Sequence, residues 1–273
     1  MSMDKPAIQQ IQESANIPAL IEQLAGAKTQ VPISVTPDSM TIHSLEKFMP
    51  KAARYRLVFV TTSIADFIEY NALHDQDGAT CFVDADSMSA KSIFDLGTVE
   101  VPGHKENTAK LKLKKTSAFQ AICRINGDRM GQKQAGEFIE DWADNLIAFT
   151  KEGDTMTPLQ AARSLQDLTI ESAREVNSKV DDFGASVSAM ERIEAKNQSM
   201  LPAEIQFTCD PYSGLKERKF KLRVGILTGD DKPKVVFRIL CLETTEEEIA
   251  EEFKGNLVAA SEELELKTFI GEA

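Results

Sequence analysis

The apolar positions of this chain change period several times, and each change predicts an element. In the first 30 residues Ile8, Ile11, Ile17, Leu20, Ile21 and Leu24 recur at helical spacing, with Asn16 as a cap and Pro18 in a first turn, which predicts a helical arm. Gly26, Pro32, Pro37 and Pro50 punctuate the next stretch, with a short strand expected at 31–35 and a loop or short helix through Leu45 to Phe48. Tyr55 to Thr61 is rich in β-branched and aromatic residues and predicts a strand. Ser63 then opens a helix through Ile64, Phe67, Ile68 and Leu73, and after an Asp77–Gly78 turn the chain returns as a strand over Ala79 to Asp84.

Thr108 to Lys114 alternates apolar and cationic residues, as a half-exposed strand does. From Gln132 to Phe149 the apolar residues Ala135, Phe138, Ile139, Trp142, Leu146 and Phe149 fall on one helical face, and Thr157–Pro158 caps a further helix running to about Leu168. Residues 169–196 read either as two strands about the Asp181–Gly184 turn, which we favour, or as a broken helix. Three period-2 runs follow, Ile205/Phe207/Cys209, Phe220/Leu222/Val224/Ile226 and Val235/Phe237/Ile239/Cys241, and predict an antiparallel meander whose last hairpin turns through Gly229 to Pro233. Thr244 or Thr245 with Glu247 or Glu248 predicts a capping box for a final helix with Ile249, Phe253, Leu257, Ala260 and Leu264 on its face.

The expected fold is therefore α+β, with mixed and antiparallel sheets, packed helices, and a C-terminal three-stranded meander followed by an acidic helix. The expected regions are a helical arm over 1–30, an α/β core over 31–168, a mainly antiparallel β region over 169–243 and the acidic helix over 244–273.

Composition narrows the class. A chain of 273 residues with 42% hydrophobic and 27% charged residues is an ordinary globular one. No apolar run reaches the roughly 18 residues of a membrane span, and MSMDKPAIQQIQE lacks a signal-peptide pattern, so the expected location is cytoplasmic, without a membrane partner. Cys81, Cys123, Cys209 and Cys241 are scattered, outside any metal pattern, and read as reduced core thiols.

The net charge of −12 is unevenly placed. From Glu243 to Ala273 there are 10 acidic residues and two lysines. Two basic islands, Lys105 to Lys115 and Lys216 to Arg223, oppose that tail. Lys110, Lys112 and Lys114 project from one side of a strand, and Lys219, Lys221 and Arg223 from one side of another; in a shared sheet they would form a cationic stripe for phosphates, with Phe119 or Tyr212 stacking on bases. The same charges allow edge protection or head-to-tail assembly with the acidic helix of a second copy.

Catalytic patterns are sparse. His43, His74 and His104 lack a nucleophile elbow or a papain-like Cys context, and no phosphate-binding glycine loop or other cofactor pattern is present. Asp84, Asp86 and His104 would be hard-cation ligands for a metal-dependent phosphoesterase if they converge, whereas Asp84 to Ser87 may equally be written as a simple turn.

The order of segments resembles the YfdQ-like family of phage and prophage proteins, a domain of unknown function, over about residues 31–242. The likeness rests on Leu45–Glu46 after a proline-bearing segment, Arg54 or Arg56 before a strand, a helix ending in Tyr70 and His74, Thr116 with Phe119, and Met130 with Gln132 opening the helix to Trp142. Where that family often has an aromatic after Pro-Gly, this chain has Pro102–Gly103–His104. The resemblance implies an early-region phage product with no catalytic residues to carry across. The leading expectation is a non-enzymatic accessory protein acting through self-association and contacts with phage or host proteins. The alternatives are single-stranded DNA binding in phage recombination or replication, and inhibition of a host defence complex by the acidic surface.

Overall fold

The computed structural model describes residues 46–74, 76–168, 201–227 and 232–273, together with isolated helical positions between 6 and 22. The expected strand at 31–35, His43, residues 169–196 and the turn at 228–231 lie outside the described residues. The chain divides into two compact units, Met1–Tyr55 and Arg56–Ala273, so the first unit extends past the boundary expected at residue 30. Within it, Ile8, Ile11 and Ile17 are helical, as their spacing predicts, and Glu46–Phe48 forms a short 3-10 turn in which the Glu46 carboxylate accepts the Ala53 N–H at 2.8 Å.

The second unit runs β1 (Leu57–Thr61), α1 (Ile64–His74), β2 (Thr80–Asp84), β3 (Ser89–Ile93), β4 (Asn107–Lys112), α2 (Ser117–Ile125), β5 (Arg129–Gly131) and α3 (Gln132–Asp141). It continues through β6 (Leu146–Phe149), β7 (Thr155–Met156), α4 (Pro158–Gln166), β8 (Glu204–Cys209), β9 (Arg218–Leu227), β10 (Lys234–Ile239), α5 (Leu242–Glu263) and β11 (Lys267–Ile270). These strands make two sheets. The first is mixed, in the order β1-β4-β3-β2-β11, and the second is antiparallel, in the order β5-β10-β9-β8-β6-β7. The fold is α+β, and the expected meander is the β8-β9-β10 portion of the larger second sheet.

Each sheet is covered by helices on one face. In the first, Cys81, Val83, Ala90, Ala109 and Leu111 are buried, α1 lies on β4, and α5 lies on β2 and β11 with Ile249, Phe253 and Leu257 buried. In the second, α2 and α3 pack on β10 and α4 on β6. There Phe138 sits 5.8 Å from Phe237 and 6.3 Å from Phe207 between ring centroids, and Phe119 stacks on Phe220 at 5.1 Å. Each fully buried aromatic or aliphatic side chain of this kind contributes about 1.5–3 kcal/mol relative to exposure. Period 2 in the strands places the alternate residues on the opposite, open faces.

Three local expectations are corrected. The helix expected over Gln132 to Phe149 ends at Asp141: Trp142 caps it, a 3-10 turn follows, and Leu146–Phe149 becomes β6. Over four residues LIAF satisfies either period, and the β8 edge supplies the backbone partners that decide it, burying Leu146 and Ala148 while Ile147 stays exposed. The C-terminal helix begins at Leu242 after Cys241 in the left-handed region (φ 53°), and the Thr245 hydroxyl donates to the Cys241 carbonyl at 3.0 Å instead of capping. It ends at Glu263, and the chain continues as edge strand β11, so the region over 244–273 is not a single helix. The Thr157 cap is found as expected, its hydroxyl accepting the Gln160 N–H at 3.2 Å.

Candidate functional site

The open face of the second sheet carries most of the cations that the islands suggested, and more. β9 alternates Phe220, Leu222 and Ile226 inward with exposed Lys219, Lys221 and Arg223 outward. Register then fixes their neighbours: Arg223 lies opposite Arg238 on β10 and opposite Glu204 on β8, Lys221 opposite Gln206, and Lys219 opposite Thr208. Lys234 on β10 shares this face, and so does Arg129 on β5, which lies opposite Val236. Among the described residues none of these six cations has a carboxylate within ion-pair distance. Successive outward residues of one strand stand about 6.8 Å apart, twice the rise per residue, so β9 presents an evenly spaced row of positive charge.

Arg129, Lys234 and Arg238 escaped the sequence reading. Their signal was present in KVVFRI, where Lys234 and Arg238 occupy the polar half of the alternation whose apolar half defines β10. Arg129 has no such signal, because β5 is only three residues long.

Lys110 and Lys112 do not join this row. β4 belongs to the first sheet and β9 to the second, so the expected common stripe is replaced by two separate faces. The chain leaves β4 through exposed Lys114 into α2, where the Thr116 hydroxyl accepts the Phe119 N–H at 3.2 Å and donates to the Asp210 carbonyl at 2.6 Å. Phe119 and Tyr212, expected to stack on bases, are core residues 0% and 9% exposed, 6.1 Å apart between ring centroids. The Thr116 and Phe119 pair that helps to carry the family resemblance is thus a helix cap and a core ring.

On the open face of the first sheet, one row crosses all its strands. Val60 lies opposite Lys110, Lys110 opposite Lys91, Lys91 opposite Phe82, and Phe82 opposite Phe269, with the two rings stacked at 5.9 Å. Lys112 lies opposite Ser89 in the next row. The row borders a shallow cleft in which the Lys91 ammonium donates to the Ala273 oxygen at 2.8 Å.

The acidic helix α5 finds cations in its own chain. Glu252 takes the Arg218 guanidinium at 2.6 Å and the Lys216 N–H at 2.9 Å, Glu248 stands 3.7 Å from Arg218, and Glu246 lies 3.4 Å from Lys115. Lys115 also rests 4.8 Å above the Phe119 ring.

The metal candidates do not converge. Asp84 accepts the Ser87 hydroxyl at 2.5 Å and the Ser87 N–H at 3.3 Å, bonds that hold its carboxyl below the usual carboxylate range, so it turns the chain. His104 is exposed on the loop before β4, and among the described residues no group of three His, Cys, Asp or Glu could hold a metal ion. His74 packs on Tyr70 at 4.2 Å and on Phe94 at 5.9 Å. All four cysteines are free thiols; Cys81 and Cys209 are buried as expected, whereas Cys123 is half-buried and Cys241 is exposed. Burial pushes the Cys209 thiol up to about 12, with help from Asp210. Among the described residues no helix is long and apolar enough to cross a membrane.

Neither a curated protein nor a solved structure matches the chain. A family model does match, over residues 3–273, and by it the chain belongs to DUF2303, a family described as an uncharacterized conserved protein.

Proposed function

We propose that this protein binds nucleic acid, through the phosphate backbone, on the open face of its second sheet. The observation that carries the reading is the segregation of Arg129, Lys219, Lys221, Arg223, Lys234 and Arg238 on one sheet face against the single carboxylate of Glu204, in a chain of net charge −12. Cations that lack in-chain partners and stand side by side are costly to keep unless a polyanion neutralises them. The resemblance to phage and prophage proteins of recombination and replication regions is consistent with such an accessory role, without a catalytic step. Head-to-tail assembly through α5 has less support, because Glu246, Glu248 and Glu252 already engage Lys115 and Arg218 of their own chain.

The test is fluorescence anisotropy with labelled single-stranded and duplex oligonucleotides at about 0.05 and 0.2 M salt, comparing the wild type with the Lys221→Glu, Arg223→Glu double variant. For four phosphate contacts on a single strand, log K should fall with log salt at a slope near about −3, and the variant should lose at least tenfold in affinity and flatten that slope. No binding at the lower salt, or a variant of unchanged affinity and preserved fold by circular dichroism, would overturn the proposal.

A further inference from the structure

The open face of the first sheet is a second and chemically different surface. We infer that it is a base-stacking site for single-stranded nucleic acid, with Phe82 and Phe269 as the platform and Lys91 and Lys110 holding the flanking phosphates. The inference rests on the nucleic-acid reading above for its ligand, but on other residues for its site.

Three observations converge. Phe269 is 57% exposed on edge strand β11 and stacks on Phe82, so a planar apolar surface faces solvent at the sheet edge. Burial does not explain an aromatic pair placed there, whereas an unstacked base gains from covering it. Directly beside the rings, Lys91 and Lys110 are cross-strand neighbours, a like-charge pair that is unfavourable in isolation. Lys110 has no carboxylate within ion-pair distance among the described residues, and Lys91 reaches only the Ala273 oxygen, an acceptor of the kind a phosphate would offer in its place. Rings beside ammonium groups match a nucleotide with an accessible base, and a base paired within a duplex cannot lie flat on such a platform. The second sheet carries the denser cation row and only Ile147 and Phe149 as apolar outward residues of β6, so the two faces divide backbone contact from base contact.

The experiment compares a labelled oligothymidylate with an abasic sugar–phosphate oligomer of the same length, by anisotropy, on the full chain. The wild type should bind the thymidylate about 5- to 150-fold more tightly, the range that one stacked base supplies. Phe269→Ala removes an exposed ring, so the fold should persist, and it should abolish that preference while leaving abasic binding unchanged. Lys110→Gln should weaken both oligomers alike. Equal binding of the two oligomers, or a preference that survives Phe269→Ala, overturns the stacking site and leaves the second-sheet reading standing. Binding that Phe269→Ala reduces but the Lys221→Glu, Arg223→Glu variant does not would keep the stacking site and overturn the other face. Failure of both oligomers to bind overturns both readings, and a dimer that Phe269→Ala splits into monomers would assign this face to self-association.

Discussion

Arg223 and Arg238 face each other directly across β9 and β10, both on the open side of the sheet. A directly opposed like-charge pair costs some of the roughly 0.2–1 kcal/mol that a favourable cross-strand pair contributes. Glu204, on the far side of Arg223, forms no ion pair with it and so does not cancel the repulsion fully. Replacing Arg238 with Gln should therefore raise stability in urea unfolding, by up to about 1 kcal/mol, while weakening oligonucleotide binding. A side chain kept for packing alone would show the reverse: lower stability with affinity unmoved.

Glu252 is the acid on α5 whose removal should matter most. It is only 10% exposed, accepts from Arg218 and from the Lys216 N–H, and faces a guanidinium 25% exposed whose buried Nε has no partner. Hydrogen bonds to charged groups contribute about 1.5–3 kcal/mol, so Glu252→Gln should cost about 2 kcal/mol in denaturant unfolding. Glu251→Gln, one residue away on an exposed pair with Lys254, should change stability by less than about 0.5 kcal/mol. Equal costs for the two variants would remove the distinction between half-buried and surface pairs drawn here.

The residues that announce themselves in this sequence are those with a local reason for their conformation. YRLVFVT, the helix after Ser63, the Thr157–Pro158 cap and the three period-2 runs all fold as they read, because periodicity and capping act within a few residues. The misreadings share a different cause. LIAF at 146–149 continues a helical pattern yet pairs with β8, and KTFI at 267–270 follows an acidic helix yet pairs with β2; both depend on a strand distant in sequence. The candidate site was half legible for the same reason. Lysines alternating along one strand are visible, but which sheet each strand joins is not, so Lys110 and Lys221 were grouped while Arg238, directly opposite Arg223, went unnoticed.

Gly103 shows how a motif can be structural. A Cβ built there would stand 1.7 Å from the Asp95 carbonyl oxygen, and its N–H donates to the Leu96 carbonyl at 2.8 Å. The same Asp95 holds the loop by accepting the N–H groups of Glu106 and Asn107, at 2.9 and 3.0 Å. Gly103→Ala must push backbone against backbone, and should destabilise by at least the 1–3 kcal/mol that is usual for overpacking, about 3 kcal/mol here. His104→Phe, which brings the exposed next position to the aromatic common in the resembling family, should leave the melting temperature within a few degrees.

The thiols give a stability prediction with a defined sign. Burial lifts Cys209 from 9.0 to about 12, and it also raises Cys81, so both stay protonated in the folded chain at pH values where an unfolded thiol has ionised. The unfolded state then binds fewer protons than the native one, and stability falls as pH rises. The effect is absent below about pH 8.5, the ordinary thiol value, and grows toward pH 12. At pH 10 to 11 Cys209 should contribute a slope of up to about −1.4 kcal/mol per pH unit to the unfolding free energy, and Cys209→Ala should flatten it while lowering stability at neutral pH. Thiol-reagent kinetics on the native chain supply the companion measurement: exposed Cys241 should react first, half-buried Cys123 more slowly, and Cys81 and Cys209 only at the rate of unfolding. Early labelling of Cys209, or an alkaline slope untouched by its removal, would show that its thiol is not held protonated by the β8 interior.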